Sequence, residues 1–212
     1  MKISVKQSKT NTTDGSVVEV YQKTGRPLTD GEEKMAKSVF GSLIDYNIII
    51  IHKEKYISVQ NDQVAMTPFG EIFFGETHVD DFSKGNIGVK KHFIHEMAHV
   101  WQYQSGKIVA ARGLALCVGT GLSDMMEAAT RNTPIEKITD TIRSTIDPYI
   151  YSLDPRKKIE DYNLESQAEI IADYFCTIIL EQPLYKGLNK ENHHKAYLYE
   201  EVLSKFLEKA SI

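Results

Sequence analysis

Apolar residues along the chain fall into two rhythms, one helical and one extended. In "LTDGEEKMAKSVFGSLI" (28–44), Met35, Val39 and Leu43, with Ala36 and Phe40, recur at spacings of three and four, and Thr29 with Glu32 forms a capping-box pair. This predicts a helix. The β-branched run "NIIIIHKEKYISV" reads as a strand, and "VAMTPFGEIFF" as a second strand around a Pro-Phe-Gly bend. A helix is next predicted from Ile87 to Ser105-Gly106, where glycine suits a left-handed cap; Phe93, Met97, Val100, Trp101 and Gln104 mark its packed flank. Residues 107–160 are mixed, broken by glycines, Pro134 and Pro148. "NLESQAEIIADYFCTIILE" (163–181) predicts a buried helix with acids on one face, and "NHHKAYLYEEVLSKFLEKA" an amphipathic C-terminal helix built on Leu198, Val202, Leu203, Phe206 and Leu207. The expectation is an α+β fold: a polar N-terminal segment over 1–25, flexible or a hairpin tip, then one domain over 26–212.

At 212 residues the chain can bury one well-formed core, and a net charge of −4 without a basic block points to neither a nucleic-acid nor a membrane partner. Two distant cysteines, Cys117 and Cys176, make neither a disulfide framework nor a thiolate metal site. The N-terminus lacks the apolar run of a signal peptide, and the longest apolar stretch, 108–122, is short and holds Arg112. The expectation is a protein soluble when made in the cytoplasm, leaving the cell only by a route that reads no such signal.

The chemistry concentrates in "FIHEMAHVWQYQSG" (93–106), where His95, Glu96 and His99 spell H-E-x-x-H. Residues four apart on a helix stack, so both imidazoles can meet one Zn2+ ion. Glu96 lies about 100° round from His95, placed to act as general base without ligating. The bland reading is a polar helix face, but two histidines and a glutamate on a largely apolar helix need partners. Gln102 and Ser105 stand where a metzincin would have glycine and a third histidine. The third ligand is expected instead from the acids Glu165, Glu169 and Asp173, spaced by four. Two assignments fit: Glu165 as ligand with Glu169 behind it, or Glu169 as ligand with Asp173 holding a ligand histidine. His92 could line the site; His52, His78 and His193-His194 read as structural or exposed; Tyr149, Tyr151 and Tyr162 are candidates to stabilise an oxyanion.

Several blocks, "RPLTDGEEKMAKSVFGSLIDY", "MTPFGEIFF", "DDFS", "FIHEMAHVWQYQSG", "YIYSLD" and "DYNLESQAEIIADYF", together resemble the Vgr-related proteins, bacterial zincin-like metallopeptidases associated with type VI secretion. The resemblance spans most of 26–176. It implies a zincin-like domain with a mainly antiparallel mixed sheet packed on the motif helix, and Zn2+ held by His95 and His99 with Glu96 as the catalytic acid. The family's E-x-Q-A block falls on Glu165, Gln167 and Ala168, favouring Glu165 over Glu169 as third ligand. An edge strand near 71–74 would bind the substrate backbone. The implied function is peptide hydrolysis by a secreted effector or toxin, with a Vgr spike protein and an immunity protein as partners. The alternatives are an inactive binding module of the same fold, or an amidase acting on peptidoglycan peptides.

Overall fold

A computed structural model describes residues 9–11, 17–19, 25–56, 62, 64–107, 148–183 and 189–211. The expected apolar stretch at 108–122, Cys117 and the Pro134 region lie outside the described residues, as do the side chains of 1–24 and of His193.

Strands β1 (Lys9–Asn11) and β2 (Val17–Glu19) pair antiparallel within the polar N-terminal segment. Helix α1 (Asp30–Phe40) starts at the predicted capping box: Thr29 accepts from the Glu32 N–H, and the Glu32 carboxylate accepts from the Thr29 N–H. Glu32 is fully buried yet fully paired, accepting from the two terminal Arg26 nitrogens at 2.7 and 2.8 Å and from the Phe82 N–H at 3.0 Å. One carboxylate thereby ties three segments together. Gly41 ends the helix at φ +49, where an added Cβ would strike the Ala210 carbonyl.

The predicted long strands are short. β3 (Gly25–Arg26), β4 (Ile51–His52) and β5 (Ile72–Phe73) form a three-stranded sheet, antiparallel between β3 and β4 and parallel between β4 and β5. The sheet is mixed, with one antiparallel and one parallel pairing where a mainly antiparallel sheet was expected. The edge expected at 71–74 is covered on both sides. Ile72 and Phe74 donate to the carbonyls of Ile50 and His52, and Phe73 exchanges two bonds with Met66.

Helix α2 (Ile87–Gln104) and helix α3 (Leu164–Tyr174) are each capped by an asparagine, Asn86 on the Val89 N–H and Asn163 on the Ser166 N–H. A π-helical turn (Phe175–Ile179) extends α3. The C-terminal amphipathic stretch folds as two short helices, α4 (Ala196–Val202) and α5 (Ser204–Ala210), hinged at Leu203. Phe40, Phe93, Met97, Ile171, Phe175 and Phe206 belong to one core shared by α1, α2, α3 and α5. No helix among the described residues is long and apolar enough to cross a membrane.

Candidate metal centre

Helix α2 buries every residue from Phe93 to Gln102, so its polar residues must find partners within the protein. The partners come from α3, which packs along it. His95 Nε2 and His99 Nε2 lie 3.2 Å apart, and Glu165 Oε2 is 3.4 Å from the first and 3.2 Å from the second. All three residues are buried.

Each imidazole is turned by a group on its far side. The Gln102 amide nitrogen donates to the Leu164 carbonyl and faces Gln167 Oε1, which leaves the Gln102 oxygen 2.8 Å from His99 Nδ1. That oxygen can only accept, so the neutral, metal-binding form of His99 carries its proton on Nδ1 and presents a lone pair on Nε2. Glu169 Oε1 stands 2.9 Å from His95 Nδ1, within ion-pair reach although off the line of an ideal hydrogen bond, and favours the same tautomer. Three electron pairs therefore converge on one point. Donors at about 2.0–2.2 Å around a tetrahedral zinc sit about 3.3–3.5 Å from one another. The observed triangle fits that edge, and its donor set suits zinc.

The electrostatics agree. Burial disfavours charged imidazoles, but the adjoining carboxylates outweigh it: His95 is raised to about 10, and His99 is raised as well. Burial likewise opposes ionisation of Glu165 and Glu169, and the histidines, with Lys91 at Glu169, hold both below the usual carboxylate range. The pocket draws in positive charge.

Glu96 is buried beside the triangle without joining it. The Thr67 hydroxyl donates to its Oε2 at 2.6 Å, and His92 Nε2 lies 3.7 Å from its Oε1. Thr67 enters the turn at 68–70, where Phe69 has φ +54, a conformation costing a phenylalanine about 1–3 kcal/mol. Gly70 in that turn sits against the Tyr103 ring of α2, so the strained turn is braced on the motif helix.

The remaining candidates separate cleanly. Glu169 stands behind His95 rather than in the triangle. Asp173, expected to hold a ligand histidine, touches neither: it pairs with Lys91 at 2.9 Å and accepts from the Tyr151 hydroxyl at 2.6 Å. The Lys91 ammonium also lies 2.8 Å from Glu169. Burial disfavours that ammonium, but Asp173 and Glu169 hold it above its ordinary range. Of the three tyrosines, Tyr151 is committed to Asp173 and Tyr199, and Tyr162 donates to the Ser152 carbonyl; Tyr149 alone among them has its ring beside His95, centroids 6.0 Å apart. His52 pairs with Glu71 and stacks on Phe73, and His78 packs edge-on to Phe82. Cys176 is buried, and burial pushes its thiol up to about 12. Sequence reasoning missed Thr67, Lys91 and Gln102 as parts of the site. Only Gln102 left a signal, as a polar residue one turn beyond His99 on a buried helix.

No family model matches the chain. It is 36% identical over 155 residues, 72% of its length, to the type VI secretion system spike protein VgrG2b of Pseudomonas aeruginosa. The matched segment is only 13% of that much longer protein. Among solved structures it is similar to the effector domain of Pseudomonas aeruginosa VgrG2b, with 31% identity and a TM-score of 0.55, covering 87% of this chain and 83% of that domain.

Proposed function

The chain belongs to the family of the VgrG2b effector domain, and we propose that it is a type VI secretion effector that hydrolyses peptide bonds with a zinc ion, on a zincin-like domain. One observation carries the chemical part: three buried lone-pair donors form a triangle of 3.2–3.4 Å, with an unligating carboxylate beside it. A zinc ion held by His95 Nε2, His99 Nε2 and Glu165 Oε2 would polarise a peptide carbonyl and acidify a water.

Glu96 supplies the proton transfers. Its Oε2 is held by Thr67, so Oε1 is the oxygen that takes the proton from the attacking water and returns it to the leaving amine nitrogen. Tyr149, whose ring lies beside His95, is the candidate to stabilise the developing oxyanion.

Delivery on a Vgr spike suits a domain of this family, and a cognate immunity protein is the partner expected in the producing cell. The test is metal content by mass spectrometry with cleavage assays on a peptide library and on peptidoglycan. Equimolar zinc, and peptide products that vanish in Glu96→Gln, support the reading. Products from peptidoglycan alone redirect it to an amidase. Zinc without cleavage of either substrate favours a binding module.

A further inference from the structure

The metal reading uses Glu165 as a ligand and Glu169 to orient His95, and leaves unexplained why a third carboxylate, Asp173, is buried on α3. Glu169 and Asp173 are one turn apart on the same face of α3, close enough to repel. Between them, reaching across from α2, is Lys91, with its Nζ 2.8 Å from Glu169 Oε2 and 2.9 Å from Asp173 Oδ1. Lys91 precedes His95 by one turn. Its contacts divide each carboxylate in two. Glu169 gives one oxygen to Lys91 and the other to His95 Nδ1; Asp173 gives one to Lys91 and the other to the Tyr151 hydroxyl, itself 2.8 Å from the Tyr199 hydroxyl on α4.

We propose that Lys91 is a positioning residue of the metal centre, holding Glu169 against His95 so that His95 Nε2 stays aimed at the ligand triangle. The inference rests on the zinc reading above. Four carboxylates crowd this part of the protein: Glu96, Glu165 and Asp173 are buried and Glu169 is partly buried. Lys91 is the lysine or arginine that touches them among the described residues; Lys107, the nearest comparison, goes to Gln167 instead. Without it, Glu169 and Asp173 face each other with no counter-charge in a poorly solvated site. Asp173 is anchored by Tyr151, so the freer carboxylate, Glu169, is the one that turns away. His95 then loses the group that fixes its ring. Loss of such a partner weakens zinc binding by about 10–100-fold.

The experiment measures zinc affinity of the full chain by competition with a chromophoric chelator, in wild type, Lys91→Met, Lys91→Arg, Glu169→Gln and the Lys91→Met/Glu169→Gln double variant. The expected pattern has four parts. Lys91→Met binds about 10–100-fold more weakly. Lys91→Arg, which keeps the charge, recovers most of the loss. Glu169→Gln falls in the same range as Lys91→Met. The double variant binds no more weakly than Glu169→Gln, because Lys91 acts through Glu169. Wild-type affinity in Lys91→Met, or a double variant showing the product of both single losses, overturns the inference while leaving the zinc site standing. If Lys91→Met does not fold, the double variant removes one charge of each sign, and its comparison with Glu169→Gln still decides. A wild-type protein that takes up no zinc overturns the metal reading itself, and this inference with it.

Discussion

Replacing Glu165 with glutamine should do something quite different from the same change at Glu169, one turn along the same helix. Glu165 Oε2 is a corner of the ligand triangle, 3.2 and 3.4 Å from the two imidazole nitrogens, whereas Glu169 meets His95 from behind at 2.9 Å. A ligand that binds only the native state stabilises it by about 4 kcal/mol at a thousandfold excess over Kd. For a domain of this size each kcal/mol moves Tm by about 2–4 °C, so zinc should raise the wild-type Tm by about 8–16 °C. Losing the partner behind a ligand histidine weakens binding about 10–100-fold. At the same free zinc, about 1.4–2.7 kcal/mol of stabilisation then survives in Glu169→Gln, a shift of about 3–11 °C. Glu165→Gln should show no shift. The assay is thermal melting of each variant with and without zinc, metal content verified, and each compared with its own metal-free form, since either substitution also alters the metal-free cluster. A shift retained in Glu165→Gln and abolished in Glu169→Gln would reverse the ligand assignment. Identical wild-type curves with and without verified zinc would refute the link between the metal and the fold.

Glu96→Gln should keep the full zinc-dependent shift and lose about 100- to 10,000-fold in kcat; zinc loss matching that of His95→Ala would make Glu96 a ligand. Thr67→Val removes a charge-assisted hydrogen bond worth about 1.5–3 kcal/mol, so kcat should fall about tenfold or more with zinc affinity unchanged, and Thr67→Ser should restore it. Zinc affinity should rise with pH across neutrality. His95 and His99 are raised above their ordinary range in the metal-free protein, so protons hold the ligand nitrogens there and must leave as zinc binds. Calorimetry in buffers of different ionisation enthalpy reads that release directly, and binding that releases no proton between pH 6 and 8 would show both imidazoles already neutral in the metal-free protein.

Local rules of the chain determined a good part of this protein. The i, i+4 spacing of His95 and His99 places both rings on one face of any helix, and the apolar period from Phe93 to Trp101 makes that helix a buried one. Thr29 and Glu32 mark the start of α1 because a capping box closes within four residues. Strand lengths were not legible in the same way. "NIIIIHKEKYISV" carries β-forming residues along its length, yet only Ile51 and His52 pair within the described sheet, since a strand lasts as long as its neighbour does. Helix periodicity could not choose between Glu165 and Glu169, whose directions around a helix differ by only about 40°, and only the family resemblance favoured Glu165. The packing of α3 along α2 chose, setting one carboxylate at the imidazole front and the next at its back. Lys91 and Thr67 entered the site for the same reason. Lys91 lies 78 residues from Glu169 and Thr67 lies 29 from Glu96, and no local period encodes a contact made only when separate elements are pressed together in the core.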